Sequence, residues 1–148
     1  MAELRGGREL QRKLRDLAQQ VAIPAKLRVG FLANAKYPDG KPVAMIAAIQ
    51  DFGAPGVGIP PRPFFRNMIA AKQREWPKAI AGLLRANDMD AAKALDFAGA
   101  AIAGQLRQSI IDTNAPPLKP ATIARKGFAK PLVDTGHMLN SIDHEIVT

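Results

Sequence analysis

Ser141-Ile142-Asp143-His144-Glu145-Ile146-Val147 alternates apolar and polar residues as a β-strand does when one of its faces is buried. Near the other end of the chain, Leu27-Arg28-Val29-Gly30-Phe31-Leu32 shows a partial alternation of the same kind. Pairing of the two brings both ends of the chain into one small sheet, and most of what lies between them reads as helix. The expected fold class is α+β, mainly helical, with a small antiparallel sheet pairing an N-terminal and a C-terminal strand. One domain over residues 1–148 is expected, since a chain of this length buries about 68–70% of its unfolded surface, enough for a core without staples.

Residues 3–21 read as the first helix. Leu10, Leu14, Leu17 and Val21 recur at spacings of four, three and four and form one apolar stripe. Arg5, Arg8, Arg12 and Arg15 recur at three, four and three on the opposite face. Two readings of the arginines stand open: a solvated face, or a face for acidic protein or DNA phosphate, since the guanidinium fork suits both. Ile23-Pro24 ends this helix, and Tyr37-Pro38-Asp39-Gly40 is a turn with proline at its second position. Pro42 opens a helix over residues 43–52 that is apolar on nearly every side, Gln50 and Asp51 excepted. Such a helix is expected to be buried all round, in the core or between subunits. Gly53 stops it, and residues 53–58 read as a flexible, glycine-rich approach to a proline-rich segment.

That segment is Ile59-Pro60-Pro61-Arg62-Pro63-Phe64-Phe65-Arg66. Proline fixes φ and biases its predecessor toward extended backbone, so these residues form a stiff arm that presents Arg62 and delivers two aromatics. The arm either tucks its phenylalanines into the core or docks a partner. Beyond it, Phe65, Met68, Ile69, Trp76, Ile80, Leu83 and Leu84 keep helical spacing, with a kink or restart expected at Trp76-Pro77. Asn87 or Asp88 is the expected cap of the next helix, which runs to about residue 112 with Leu95, Ala98, Ile102, Leu106 and Ile110 on one face. Its Gly99 and Gly104 permit close helix packing. Pro116, Pro117 and Pro120 form a second stiff arm, residues 121–126 a short helix stopped by Gly127, and Asp134-Thr135-Gly136 begins a turn or short helix.

Formal net charge is +8, unevenly spread. Residues 1–36 hold eight Lys/Arg against three Asp/Glu, residues 37–86 seven against three, and residues 87–148 six against seven. A basic front and a slightly acidic back suit head-to-tail contacts between copies, an acidic partner, or nucleic acid. The chain has no cysteine, which excludes disulfides and thiolate metal sites and fits assembly in a reducing cytoplasm. Neither a signal peptide nor a membrane anchor is expected, since no stretch approaches the ~18 apolar residues of a span.

Catalytic readings have little to stand on. His137 and His144, with Asp134, Asp143 and Glu145 nearby, are seven residues apart and form no i, i+4 pair, so no metal site is expected. Ser109, Thr135 and Ser141 lack any motif supplying an orienting base and acid. The loop at 53–58 is followed by neither a Walker lysine nor a dinucleotide pattern. No catalytic residue and no cofactor is expected.

The run Val43-Ala44-Met45-Ile46-Ala47-Ala48-Ile49-Gln50-Asp51-Phe52-Gly53, followed by Pro61-Arg62-Pro63-Phe64-Phe65-Arg66, resembles the Glu-Phe-Gly and Pro-Arg-Pro-Phe pair of small neck and tail-component proteins of tailed bacteriophages. Asp51 replaces the glutamate of that pattern. Downstream, Pro116-Pro117-Leu118, Thr122, Lys126-Gly127 and Pro131-Leu132-Val133-Asp134-Thr135-Gly136-His137-Met138-Leu139-Asn140-Ser141-Ile142 resemble the close of phage virion morphogenesis and tail-completion proteins. The resemblance implies a structural virion protein at the head-tail junction or tail end, assembled in the bacterial host cytoplasm. It further implies a ring homo-oligomer, hexamer favoured, against neighbouring connector and tail tube proteins, with DNA passing nearby. The partner-binding residues it points to are Phe52, Gly53, Pro61, Arg62, Pro63, Phe64 and Phe65; the stripe Arg5, Arg8, Arg12 and Arg15, read from its spacing alone, is a candidate face for an acidic partner. The alternative is a basic nucleic-acid-binding protein using the N-terminal arginine helix.

Overall fold

The computed structural model describes residues 7–22, 25–113, 116–126 and 136–148. The elements run α1 (Gly7–Val21), β1 (Lys26–Phe31), α2 (Val43–Phe52), α3 (Phe64–Lys72), α4 (Trp76–Ala86), α5 (Ala91–Asp112), α6 (Pro120–Lys126), α7 (His137–Asn140) and β2 (Ile142–Val147). β1 and β2 pair antiparallel, with Lys26 opposite Val147 and Phe31 opposite Ile142, so the α+β architecture has the small two-ended sheet that the alternating stretches require.

The long helix α5 organises the body. It packs on both strands and on α3 and α4, and buries Ala94, Ala98, Ile102, Ala103, Leu106 and Ile110 at helical spacing. Phe64, Met68, Val43, Met138 and Ile142 close on that face to complete the core. Gly99 is where helix and sheet come closest: a Cβ there would overlap the His144 ring and lie 2.8 Å from Leu27 Cδ1. Gly104, in contrast, would meet nothing within 4 Å. Of the two glycines, then, Gly99 serves a close approach, and it is to the sheet rather than to another helix.

The break between α3 and α4 falls just ahead of a proline. α3 stops at Lys72 and α4 begins with Pro77 in its first turn, where the missing N–H goes unneeded. The indole of Trp76 donates to Gln105 Oε1 at 2.9 Å and fastens α4 to α5. The cap of α5 is Asp90, whose carboxylate accepts from Lys93 N, rather than Asn87 or Asp88. Asn87 instead closes α4 by donating to the Leu83 carbonyl, and Asp88 has φ of 53°, outside the extended backbone an N-cap adopts.

Two expectations about burial need correction. α2 has the bounds read from the sequence but is not buried all round: Val43, Ala47 and Asp51 face inward, while Met45 is 47% and Phe52 65% exposed. β1 and α3 pack against it, while Ala44 and Ala48 are exposed along with Met45 and Phe52. The loop after Gly53 is also more ordered in shape than a plain flexible approach, since Ala54 and Ile59 exchange backbone hydrogen bonds around a 3-10 turn at Pro55–Val57. α1 buries none of its residues.

Candidate functional site

The two stretches that carry the phage resemblance fold onto each other. α3 begins after Pro63, whose φ of −76° and ψ of 56°, with Phe64 N donating to Arg62 O at 2.7 Å, make an inverse γ-turn. Proline has no capping side chain, so the first turn of α3 lacks a local acceptor. Asp51, from the last turn of α2, supplies one. Its Oδ1 accepts from Phe65 N at 2.9 Å and Arg66 N at 3.4 Å, and its Oδ2 accepts from Arg66 Nε at 2.6 Å. Arg66 Nη2 completes the clamp by donating to the Asp51 carbonyl at 2.7 Å. A carboxylate here does the work of an N-cap and meets the positive end of the helix dipole, although it comes from a different element.

Gly53 and Pro61 explain why the motif halves need each other. Gly53 has φ of 78°, and a Cβ on it would stand 2.7 Å from Pro61 N and 3.0 Å from Ile59 O. The chain leaves α2 in a conformation that favours glycine and returns directly against it. Arg62 N then donates to Gln50 O at 2.8 Å, fixing the arm along α2.

Arg62 is not presented outward. It is 5% exposed, and its Nε donates to the Pro116 carbonyl at 3.0 Å, tying the first proline arm to the second. Burial pushes its guanidinium pKa down from the ordinary arginine value. Phe64 is 1% exposed and part of the core, its carbonyl accepting from Ser109 Oγ at 2.7 Å. Of the partner-binding residues inferred from sequence, Arg62 and Phe64 are therefore enclosed within the chain itself, and Gly53 and Pro63 are half-buried. Pro61 and Phe52 are exposed, and the Arg66 guanidinium lies 4.4 Å above the Phe52 ring.

Beside the clamp lies an apolar cleft of about 350 Å³ between β1, α2 and α3. Val29, Phe31, Ala44, Ala48 and Phe65 line it, together with Asp51 and Arg66. Phe31, Phe64 and Phe65 form its floor as a ring cluster with centroids 6.3–6.5 Å apart. Asp51 and Arg66 both belong to the sequence signature, yet sequence reasoning assigns neither a role. The available signal was a lone carboxylate on an otherwise apolar helix, ahead of a helix whose N-cap position is occupied by proline.

The remaining candidates fall elsewhere. Arg8, Arg12 and Arg15 are exposed on α1, and Arg5 lies outside the described residues, as do Asp134 and Thr135. His144 Nε2 stands 2.9 Å from Asp96 Oδ1, while His137 Nε2 stands 2.7 Å from the Lys36 carbonyl and stacks on Tyr37 at 4.8 Å. Among the described residues no three His, Cys, Asp or Glu side chains come together to hold a metal ion, and no helix is long and apolar enough to cross a membrane. Comparison with family profiles, with curated proteins and with solved structures finds no match.

Proposed function

We propose that this chain is a structural subunit of a tailed-phage or prophage particle, forming a homo-oligomeric ring at the head-tail junction or tail end. The observation that carries the reading is the Asp51–Arg66 clamp: both halves of the neck-protein signature are used to hold one another and to frame an exposed apolar edge. Phe52, which lines the cleft, is 65% exposed, and exposed apolar surface next to a rigid scaffold suits protein contact better than chemistry. The signature acts through architecture, with Phe52, Pro61 and the cleft as the contact surface and Arg62 and Phe64 as its internal supports. It is not an enzyme in this reading. The test is complementation: particles produced without the chain should accumulate as unjoined heads and tails, and purified protein should restore joining. Normal particles in its absence would overturn the assignment.

The nucleic-acid alternative keeps one favourable observation, the exposed basic face of α1 bearing Arg8, Arg12 and Arg15. A lumen lined with arginine would hold phosphates and slow the passage of DNA. That face is therefore assigned to an acidic neighbour or to the outer surface. Replacing its arginines with glutamine should weaken head-tail docking or leave it unchanged, without altering the rate of DNA ejection. Duplex binding with a steep salt slope, lost in the same variant, would instead favour the alternative.

A further inference from the structure

Arg62 supports the first proline arm through its Nε alone. Arginine is seldom enclosed in a protein without an anionic partner. Here the residue is 5% exposed, its Nε is engaged by the Pro116 carbonyl, and neither terminal nitrogen finds an acceptor among the described residues. No carboxylate among those residues lies within ion-pair reach of it. Every enclosed side-chain nitrogen and oxygen there has a hydrogen-bond partner, so Nη1 and Nη2, which have none, reach solvent. The cation is thus anchored, largely desolvated and unpaired, with its outer end open. We propose that this end is a carboxylate-binding site, filled on assembly by an aspartate or glutamate side chain of a neighbouring protein.

Donor geometry selects the ligand. With Nε–H turned to Pro116, the fork left open is the end-on pair, one N–H from Nη1 and one from Nη2. These run parallel and match the two oxygens of one carboxylate in a bidentate pair, which balances one enclosed positive charge with one negative charge. Access favours the same group, because so little of Arg62 is exposed. An acidic side chain brings its oxygens on a slender stem, whereas a phosphodiester brings them between two sugars. Lys119 adds to the attraction for an anion: a Cβ on Gly58 would stand 3.7 Å from its Nζ, so it lies along the same two proline arms, exposed and without an ion pair among the described residues. Anchoring of Nε restrains the guanidinium before a ligand arrives, which lowers the ordering cost of binding. That the carboxylate comes from a neighbouring protein rests on the reading of the chain as an assembly subunit, whereas the site itself is testable on the isolated chain.

The probe is acetate, titrated against chloride at constant ionic strength into the full-length chain carrying isotopically labelled arginine. Side-chain NMR signals of Arg62, assigned through bonds from its backbone, should shift saturably at roughly tenfold lower acetate than those of exposed Arg8, Arg12 and Arg15. A response no stronger than theirs would overturn the proposal. So would tighter binding of dimethyl phosphate, a singly charged phosphodiester, which would make this a nucleic-acid contact. The wild-type titration needs no variant, so it decides even where a substitution disturbs folding. In parallel, Arg62→Gln keeps an amide donor for the Pro116 carbonyl, and Arg62→Lys keeps the charge without the fork. Each should lower the joining of heads to tails at least tenfold with circular dichroism unchanged. Unimpaired joining by either folded variant would remove the docking role. Acetate binding with failed complementation would leave the site standing and remove the particle assignment.

Discussion

Asp51 holds more of the site together than any other side chain. It is 3% exposed and accepts from two backbone amides and a guanidinium, so its removal leaves the first turn of α3 uncapped and Arg66 without its partner. Removing the acceptor of enclosed backbone amides typically costs about 1–3 kcal/mol, and Arg66, whose side chain is 49% exposed, stays solvated. Asp51→Ala should therefore lose stability on that order in urea unfolding, and a loss under ~1 kcal/mol would contradict the clamp. Phe64 and Phe52, twelve residues apart, make a second contrast. Phe64→Ala empties a core position and should cost about 3–5 kcal/mol, whereas Phe52→Ala removes an exposed ring and should cost no more than ~1 kcal/mol while weakening assembly. An Arg62→Ala, Phe64→Ala pair should destabilise the fold itself, since both side chains are enclosed within the chain. Phe52 and Ala48 are the positions that separate docking from folding.

At the scale of elements, helix and strand bounds were legible because their punctuation is covalent. Pro42 and Gly53 bracket α2 at the bounds read from sequence, and Pro77 restarts the chain at α4, since ring closure and the lack of a Cβ act regardless of neighbours. Facing was harder to read. α2 is apolar on nearly all sides, and periodicity cannot tell a face covered by its own chain from one left for another. The cap of α5 was misplaced by two or three residues because Asn87, Asp88 and Asp90 all have capping chemistry and only the backbone distinguishes them. The glycines of α5 were likewise indistinguishable until β2 was placed. Gly99→Ala should destabilise by about 1–3 kcal/mol through overpacking against His144 and Leu27, whereas Gly104→Ala should stabilise by about 0.5–1 kcal/mol. Equal effects in thermal unfolding would mean that α5 does not rest on the sheet at Gly99.

Across the whole molecule, exposed apolar surface among the described residues includes the leucine stripe of α1 and the edge of the cleft at Phe52. Sequence showed the leucine stripe and the proline arm, but which residues of the arm face inward depended on Asp51 and Pro116, 11 residues before and 54 residues after Arg62. The uneven charge, basic in front and slightly acidic behind, fits copies that meet head to tail. The central claim is that this subunit forms a ring within a tailed particle, and a particle reconstruction tests it most directly. The account predicts a closed ring of this fold at the head-tail junction or tail end, with the arginines of α1 away from the DNA path. Intact particles with no density for the chain at either position would contradict it.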